Sequence, residues 1–138
     1  MVLVQKSVAH PWMCDVLGHM TTRHYVAMFD DAAYHMLYNV FGWTGSSDNE
    51  NRIAWADVQH TLDYKAEVSA GDLLEIQAKL TKVGNKSITI YYEMKNLGNG
   101  EVAATLQVVC VLFDLNTRES VKMSDELRQL ASNYVAND

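Results

Sequence analysis

Residues 10–41 read HPWMCDVLGHMTTRHYVAMFDDAAYHMLYNVF, and a change of pattern inside this stretch decides the fold. From His10 to Met20 there is one proline (Pro11), one glycine (Gly18) and no sustained period, so this part reads as an irregular loop. From Tyr25 onward apolar residues fall at 25, 28, 29, 32, 33, 36, 37, 40 and 41, the recurrence of a helix with a wide apolar face. Thr21 or Thr22 supplies an N-cap, and Gly42 can end the helix. A loop carrying Asp15 and His19 therefore runs straight into the start of a long, mostly buried helix. A helix N-terminus offers unpaired N–H groups and a partial positive charge. Beside a carboxylate, that arrangement suits chemistry at a carbonyl.

Outward from this stretch the period changes. Residues 2–9 are short and β-prone, a first strand, and the polar run 43–52 reads as a surface loop. From Ile53 the alternation is two, with Ala56, Val58, His60, Leu62 and Tyr64 expected on one face, where His60 would be a core histidine. Ser69–Asp72, Gly84-Asn85 and Gly98-Asn99-Gly100 mark turns between alternating strands at 74–81 and 88–95 and the run 102–113. That last run is apolar on both faces except at Thr105 and Gln107, which places it centrally in a sheet or under a covered second face. Ser124 caps a short helix with Leu127, Leu130, Ala131 and Tyr134 as its stripe. A strand, a long helix, four strands in hairpins and a short helix make one α+β domain over 1–138, with an antiparallel sheet around a buried helix.

Composition bounds the function. A chain of 138 residues with 49% hydrophobic and 20% charged residues can build one real core. A net charge of −6 argues against a general nucleic-acid binder but leaves room for a phosphorylated ligand met by a local basic patch. Two cysteines, Cys14 and Cys110, make no disulfide framework. No signal peptide, membrane-spanning run or lipidation motif is present, so a cytoplasmic location is expected. The histidines at 10, 24, 35 and 60 lack metal-ligand spacing, so neither a metal nor another cofactor is expected.

Asp15-x-x-Gly18-His19-Met20, followed by Tyr25-Val26 and Phe29-Asp30-Asp31-Ala32, resembles the opening of acyl-CoA thioesterases of the 4-hydroxybenzoyl-CoA thioesterase type. Tyr64, Gly71-Asp72, Leu74-Glu75-Ile76, Gly84, Ser87 and Phe113-Asp114 extend the resemblance over nearly the whole chain. The resemblance implies a hotdog fold, hydrolysis of an acyl-CoA thioester, and a homodimer or homotetramer with active sites between subunits. Gly18-His19-Met20-Thr21 and the Glu67-Val68-x-Ala70-Gly71-Asp72 turn also look like the thioesterase domain attached to bacterial carnitine dehydrogenases, which implies a betainyl-CoA-like substrate.

Asp15 is the leading candidate, as nucleophile or as general base on water; it can equally cap a turn. By the resemblance it matches the family's catalytic aspartate. His19 can orient Asp15, hold a water or pin the loop, and Gly18 gives the backbone room, either for φ > 0 or for close approach of the substrate. The N–H of Thr22 is, by alignment with the family, the oxyanion donor, with Thr21, Arg23 and Tyr25 beside the substrate. Relatives often carry Asn or His near positions 21 and 22, where this chain has Thr-Thr, so a backbone role survives and a side-chain role does not. Lys82, Lys86, Arg23 and Arg118 are candidate contacts for coenzyme A phosphates, Lys86 foremost. Trp12, Trp43, Trp55, Tyr34 and Tyr38 can pack a core and interface or form a cage for a small cation. Asp30 and Asp31 read as paired or exposed helix acids. Two other readings keep the fold. Hydration or dehydration of an acyl thioester fits poorly, because its Asp-His pair has a longer spacing than Asp15 to His19. A non-catalytic acyl-CoA-binding module would have little use for Asp15.

Overall fold

The computed structural model describes residues 1–45 and 52–136. The expected polar loop at 43–52 falls largely on residues 46–51, outside the described residues. The elements are β1 (Val2–Val8), a short 3-10 turn (Pro11–Met13), α1 (Thr22–Phe41), β2 (Ile53–Tyr64), β3 (Leu73–Val83), β4 (Ser87–Asn96), β5 (Val102–Asp114), β6 (Glu119–Ser120) and α2 (Asp125–Ala136). The sheet runs β1-β3-β4-β5-β2, every pair antiparallel, with β6 folded back on β5. The 3-10 turn and the two-residue β6 carry no periodic signal, and the sequence reading misses both.

α1 forms where the helical period begins, and it buries Tyr25, Met28, Phe29, Ala32, Met36, Leu37 and Val40. It stops at Gly42, whose φ of 67° only glycine adopts without strain and whose N–H closes on the Tyr38 carbonyl at 2.7 Å. The buried stripe packs on alternate residues of the central strands: Leu74, Ile76, Ala78 and Leu80 of β3, Ile88, Ile90, Tyr92 and Met94 of β4, and Leu106, Val108, Cys110 and Leu112 of β5. β5 lies between β4 and β2, as its doubly apolar sequence requires, and it also buries Ala103 and Thr105. Ser124 caps α2 through its hydroxyl, which accepts the Leu127 N–H at 3.2 Å. The Tyr134 hydroxyl donates to the Asn39 carbonyl at 2.6 Å, occupying an acceptor in the last turn of α1.

β2 departs from the sequence reading. A bulge between Asp57 and Gln59 inserts Val58, and beyond it the alternation slips by one. Trp55 pairs with Leu112, Asp57 with Cys110, His60 with Val108 and Leu62 with Leu106, so Asp57 and His60 share the helix-facing side. His60 is not a core histidine. It is exposed on an edge strand, and its Nε2 lies 2.9 Å from Asp57 Oδ2. Within the chain β2 pairs only with β5 among the described strands, leaving twelve residues of open edge.

Two buried polar groups on the sheet yield predictions. Cys110 is 2% exposed, and its thiol is pushed up to about 12, first by burial and then by the charge of Asp57. The thiolate is the reactive form, so Cys110 is protected while Cys14, half-buried in the loop, is not. Iodoacetamide should label one thiol in the native protein and two in denaturant, read by intact mass; two native labels would sink this. The Tyr92 hydroxyl is fully buried and makes no hydrogen bond among the described residues. Burial pushes its pKa up, with the Cys110, Asp57 and Asp30 charges adding to it. An unsatisfied buried group costs about 1–3 kcal/mol. Tyr92→Phe should therefore raise the melting temperature by a few degrees, and a clear fall would show that the hydroxyl has a partner.

Candidate active site

The loop ahead of α1 is built by Asp15. Its Oδ1 accepts the N–H groups of Leu17 at 2.9 Å and His19 at 3.3 Å, while the Asp15 N–H donates to the His19 carbonyl at 2.9 Å. The Gly18 N–H closes the turn on the Asp15 carbonyl at 3.0 Å. Gly18 has φ of 82° with open space where a Cβ would stand, so glycine serves the backbone conformation and not a crowded contact. Asp15 is exposed, and among the described residues its Oδ2 has no hydrogen-bond partner. One oxygen thus holds the turn while the other stays available.

The loop is anchored to the β2–β3 connection. Met20 N–H donates to the Val68 carbonyl at 2.7 Å, and His19 forms a bridge with Ser69. That connection is fixed in turn by Asp72, whose Oδ2 accepts the Ser69 N–H at 2.8 Å and the Asn96 side chain at 3.0 Å. Thr21 is the N-cap by backbone, with φ of −80° and ψ of 157°, but its side chain does not cap the helix. The hydroxyl turns to the Met13 carbonyl at 3.4 Å. The N–H groups of Thr22 and Arg23, in the first turn of α1, have no intrahelical acceptor.

Beside that helix start lies a cleft of about 310 Å³ lined by His19, Met20, Thr22, Tyr25, Tyr64, Lys65, Ala66 and Glu67. His19 Nε2 is 3.1 Å from Glu67 Oε2. The Tyr25 ring is largely buried and meets Tyr64 edge to face at 5.1 Å. Burial and then the Tyr64 phenol push the Tyr25 pKa up, while a backbone hydrogen bond at Val68 lowers it. Burial thus favours the neutral phenol of Tyr25 in the cleft wall.

The fold thus gathers His19, Thr22 and Tyr25 around one cleft, with Gly18, Thr21 and Arg23 on its flanks and Asp15 tied to His19 through backbone hydrogen bonds. Lys86 stands apart. It precedes β4, whose other end abuts the site, a separation of about 30 Å along a strand of that length. Tyr64, Lys65 and Glu67 line the cleft, and the sequence reading assigned none of them a role. Tyr64 is the last residue of β2, and Lys65 and Glu67 follow it, where no local period distinguishes a functional side chain from a surface one.

A second hollow of about 170 Å³ lies between α1 and β2, lined by Asp30, Ala33, Tyr34, Leu37, Trp43, Trp55 and Asp57. Tyr34 stacks on Trp43 at 5.8 Å, and Phe41 stacks on Trp55 at 4.9 Å. Asp30 and Asp31 are both exposed on the helix. Trp12 is not part of this hollow; it is 71% exposed and meets His24 edge to face. Among the described residues no three His, Cys, Asp or Glu side chains come together to hold a metal, and no helix is long and apolar enough to cross a membrane.

The thioesterase-like superfamily matches residues 9–130. No curated protein matches the chain in sequence. Among solved structures, a Staphylococcus aureus hypothetical protein in complex with CoA superimposes with a TM-score of 0.89 at 18% identity, covering 100% of this chain and 88% of that one. A 1,4-dihydroxy-2-naphthoyl-CoA thioesterase from Synechocystis gives a TM-score of 0.80 at 16% identity, covering 94% of each chain. A gentisyl-coenzyme A thioesterase gives 0.79 at 18%, covering 92% of this chain and 98% of that one. These likenesses show the hotdog fold, a sheet wrapped on one long helix.

Proposed function

The chain belongs to the thioesterase-like superfamily, and from that premise we propose that it hydrolyses an acyl-coenzyme A thioester, with Asp15 as the acting carboxylate and the Thr22 N–H as oxyanion donor. One observation carries this reading. Thr22, whose N–H has no intrahelical acceptor, lines a cleft together with His19, which is hydrogen-bonded to Asp15. A thioester carbonyl oxygen seated on the Thr22 N–H gains stabilisation as negative charge develops on it. In the general-base route, a water gives its proton to Asp15 while its oxygen bonds to the acyl carbon. Collapse of the tetrahedral species breaks the C–S bond, and the proton on Asp15 goes to the departing thiolate. In the nucleophilic route, the Asp15 oxygen itself bonds to the acyl carbon, coenzyme A leaves, and water cleaves the resulting anhydride. No step needs a metal, and turnover should be unchanged by EDTA.

Two copies joined along their β2 edges, antiparallel about a two-fold axis near mid-strand, would set the start of one β2 beside the end of the other. That would carry one copy's Trp55, Asp57 and Lys86 toward its partner's Tyr64 and Thr22. It gives Lys86 a route to coenzyme A phosphates that the single chain lacks. The aromatic hollow with Asp30 and Asp57 would then receive the acyl group. Its two carboxylates and ring faces favour a cationic acyl group such as betainyl.

A panel of acyl-CoA thioesters followed by thiol release and by enoyl absorbance tests the reaction. Thiol release without an enoyl signal is expected. An enoyl change alone would make the protein a hydratase, and binding without either would make it a sensor. Betainyl-CoA against 3,3-dimethylbutanoyl-CoA, its neutral isostere, tests the cationic acyl group. Equal kcat/KM for the two would remove it.

A further inference from the structure

We propose that Asn96, buried at the end of β4 and outside the cleft, is a positioning residue for hydrolysis: through the Asp72 carboxylate it holds the β2–β3 connection, residues 65–72, in place against the start of α1. The proposal rests on the thioesterase reading above. Asn96 is 4% exposed. Its side-chain N–H donates to Asp72 Oδ2 at 3.0 Å, and its Oδ1 accepts the Gly98 N–H at 2.9 Å. A carboxylate only accepts and a backbone N–H only donates, so both contacts agree on which end of the amide faces Asp72. The same Asp72 oxygen accepts the Ser69 N–H at 2.8 Å, and the Asp72 N–H closes the turn on the Ser69 carbonyl at 3.1 Å.

From Ser69 the hold passes to the site through the backbone. A β-bridge joins Ser69 to His19. The preceding residue, Val68, accepts the Met20 N–H at 2.7 Å and forms a backbone hydrogen bond with the Tyr25 phenol. His19, Met20 and Tyr25 line the cleft on the side of α1, and Lys65, Ala66 and Glu67 line it on the side of the connection. The start of the Asp15 loop rests on the connection as well. The Ala9 N–H donates to the Asp72 carbonyl at 3.0 Å, and its carbonyl accepts the Gly71 N–H at 2.7 Å. Both ends of the loop that carries Asp15 are therefore fastened to the connection, and the connection is fastened to β4 through Asp72 and Asn96. A hydrogen bond to a carboxylate is among the stronger ones, and this one fixes a segment with no regular structure of its own. A shift of about 1 Å in a positioned group can cost about a hundredfold in rate, so a tie with no atom in the cleft can set the turnover number.

A break and a rescue test this. Asn96→Asp keeps the shape and still accepts the Gly98 N–H, but it sets a second carboxylate against Asp72. Adding Asp72→Asn restores a donor facing an acceptor: the amide introduced at 72 donates to the carboxylate introduced at 96, and its oxygen still accepts the Ser69 N–H. Well below the melting temperature, and per folded molecule, Asn96→Asp should lower kcat about tenfold with KM within about threefold, and the swapped pair should return kcat to within about twofold of wild type. Amide hydrogen exchange reads the hold whether or not the protein turns over any substrate. The Met20 N–H should exchange at least about tenfold faster in Asn96→Asp and recover in the swapped pair. Unchanged Met20 exchange in Asn96→Asp overturns the proposal even if hydrolysis is observed. Unchanged kcat per folded molecule also overturns it, because the tie would then serve stability alone. A swapped pair that melts and exchanges like wild type but stays slow overturns it too, because the charge of Asp72 would then act by itself. Should Asn96→Asp fail to fold, Asn96→Ser removes the reach to Asp72 without adding a charge and is held to the same kcat and Met20 exchange outcomes. The expected exchange pattern without thiol release from any thioester would refute the thioesterase reading, and with it the role in hydrolysis, while the hold on the connection would stand.

Discussion

Asp15→Asn should lower the turnover number at least about a hundredfold, the usual scale for removing a general base or the nucleophile itself. The substitution is chosen for what it keeps. Asp15 Oδ1 accepts the Leu17 and His19 N–H groups, and the carboxamide oxygen of asparagine can do the same. The loop should therefore hold its shape, and the loss of stability should stay below about 1 kcal/mol, the cost of losing a whole capping interaction. KM should change little, because the bulk of a coenzyme A thioester is bound away from this oxygen. Asp15→Ala would confuse the two roles, since it empties the turn as well. Steady-state hydrolysis by the asparagine variant, with its melting curve alongside, decides the matter. Turnover near that of wild type in a normally melting protein would remove Asp15 from the mechanism, and the helix acids Asp30 and Asp31 would be the next to test.

Loss of assembly should abolish most of the activity as well. The β2 edge is open over twelve residues, and Val58, the residue inserted by the bulge, is 60% exposed there. Exposed Val26, Tyr34 and Tyr38 on α1 add apolar surface that a single chain leaves in water. At micromolar concentration the protein should sediment at a mass at least twice the 15.6 kDa of one chain. Val58→Lys places a charge on that edge, the device by which edge strands resist pairing, at a site that tolerates it in the isolated chain. It should shift the protein toward monomer and cut turnover at least about tenfold. A wild-type protein found only at 15.6 kDa would count against both the assembly and a shared site. A fully active, undissociated Val58→Lys variant would move the interface off β2.

The sequence alone determined the elements that periodicity can encode. The i, i+3, i+4 recurrence from Tyr25 fixed which side of α1 is buried, and Gly42 fixed where it ends. The alternation in β3 and β4 and the doubly apolar 102–113 run fixed a sheet with β5 inside it. These are local signals, because a helix or strand repeats its solvent exposure every few residues. The loop before α1 was legible only through the order and spacing of Asp15, Gly18 and His19, which resemble a family motif. No period runs through it.

Tertiary structure decided the rest. Whether Thr21 caps through its side chain depended on the Met13 carbonyl, eight residues away, which takes the hydroxyl instead. The bulge at Val58 moved His60 from its expected core position to an exposed pairing with Asp57, because strand alternation holds only while the register does. The partnership of His19 with Glu67, and the cleft they share with Tyr64 and Lys65, came from folding the β2–β3 connection back onto the helix start. Such contacts span some forty residues of chain and rest on single hydrogen bonds and one ring edge. A pattern read within a short window carries no record of them, because what brings them together is the closure of the sheet around α1.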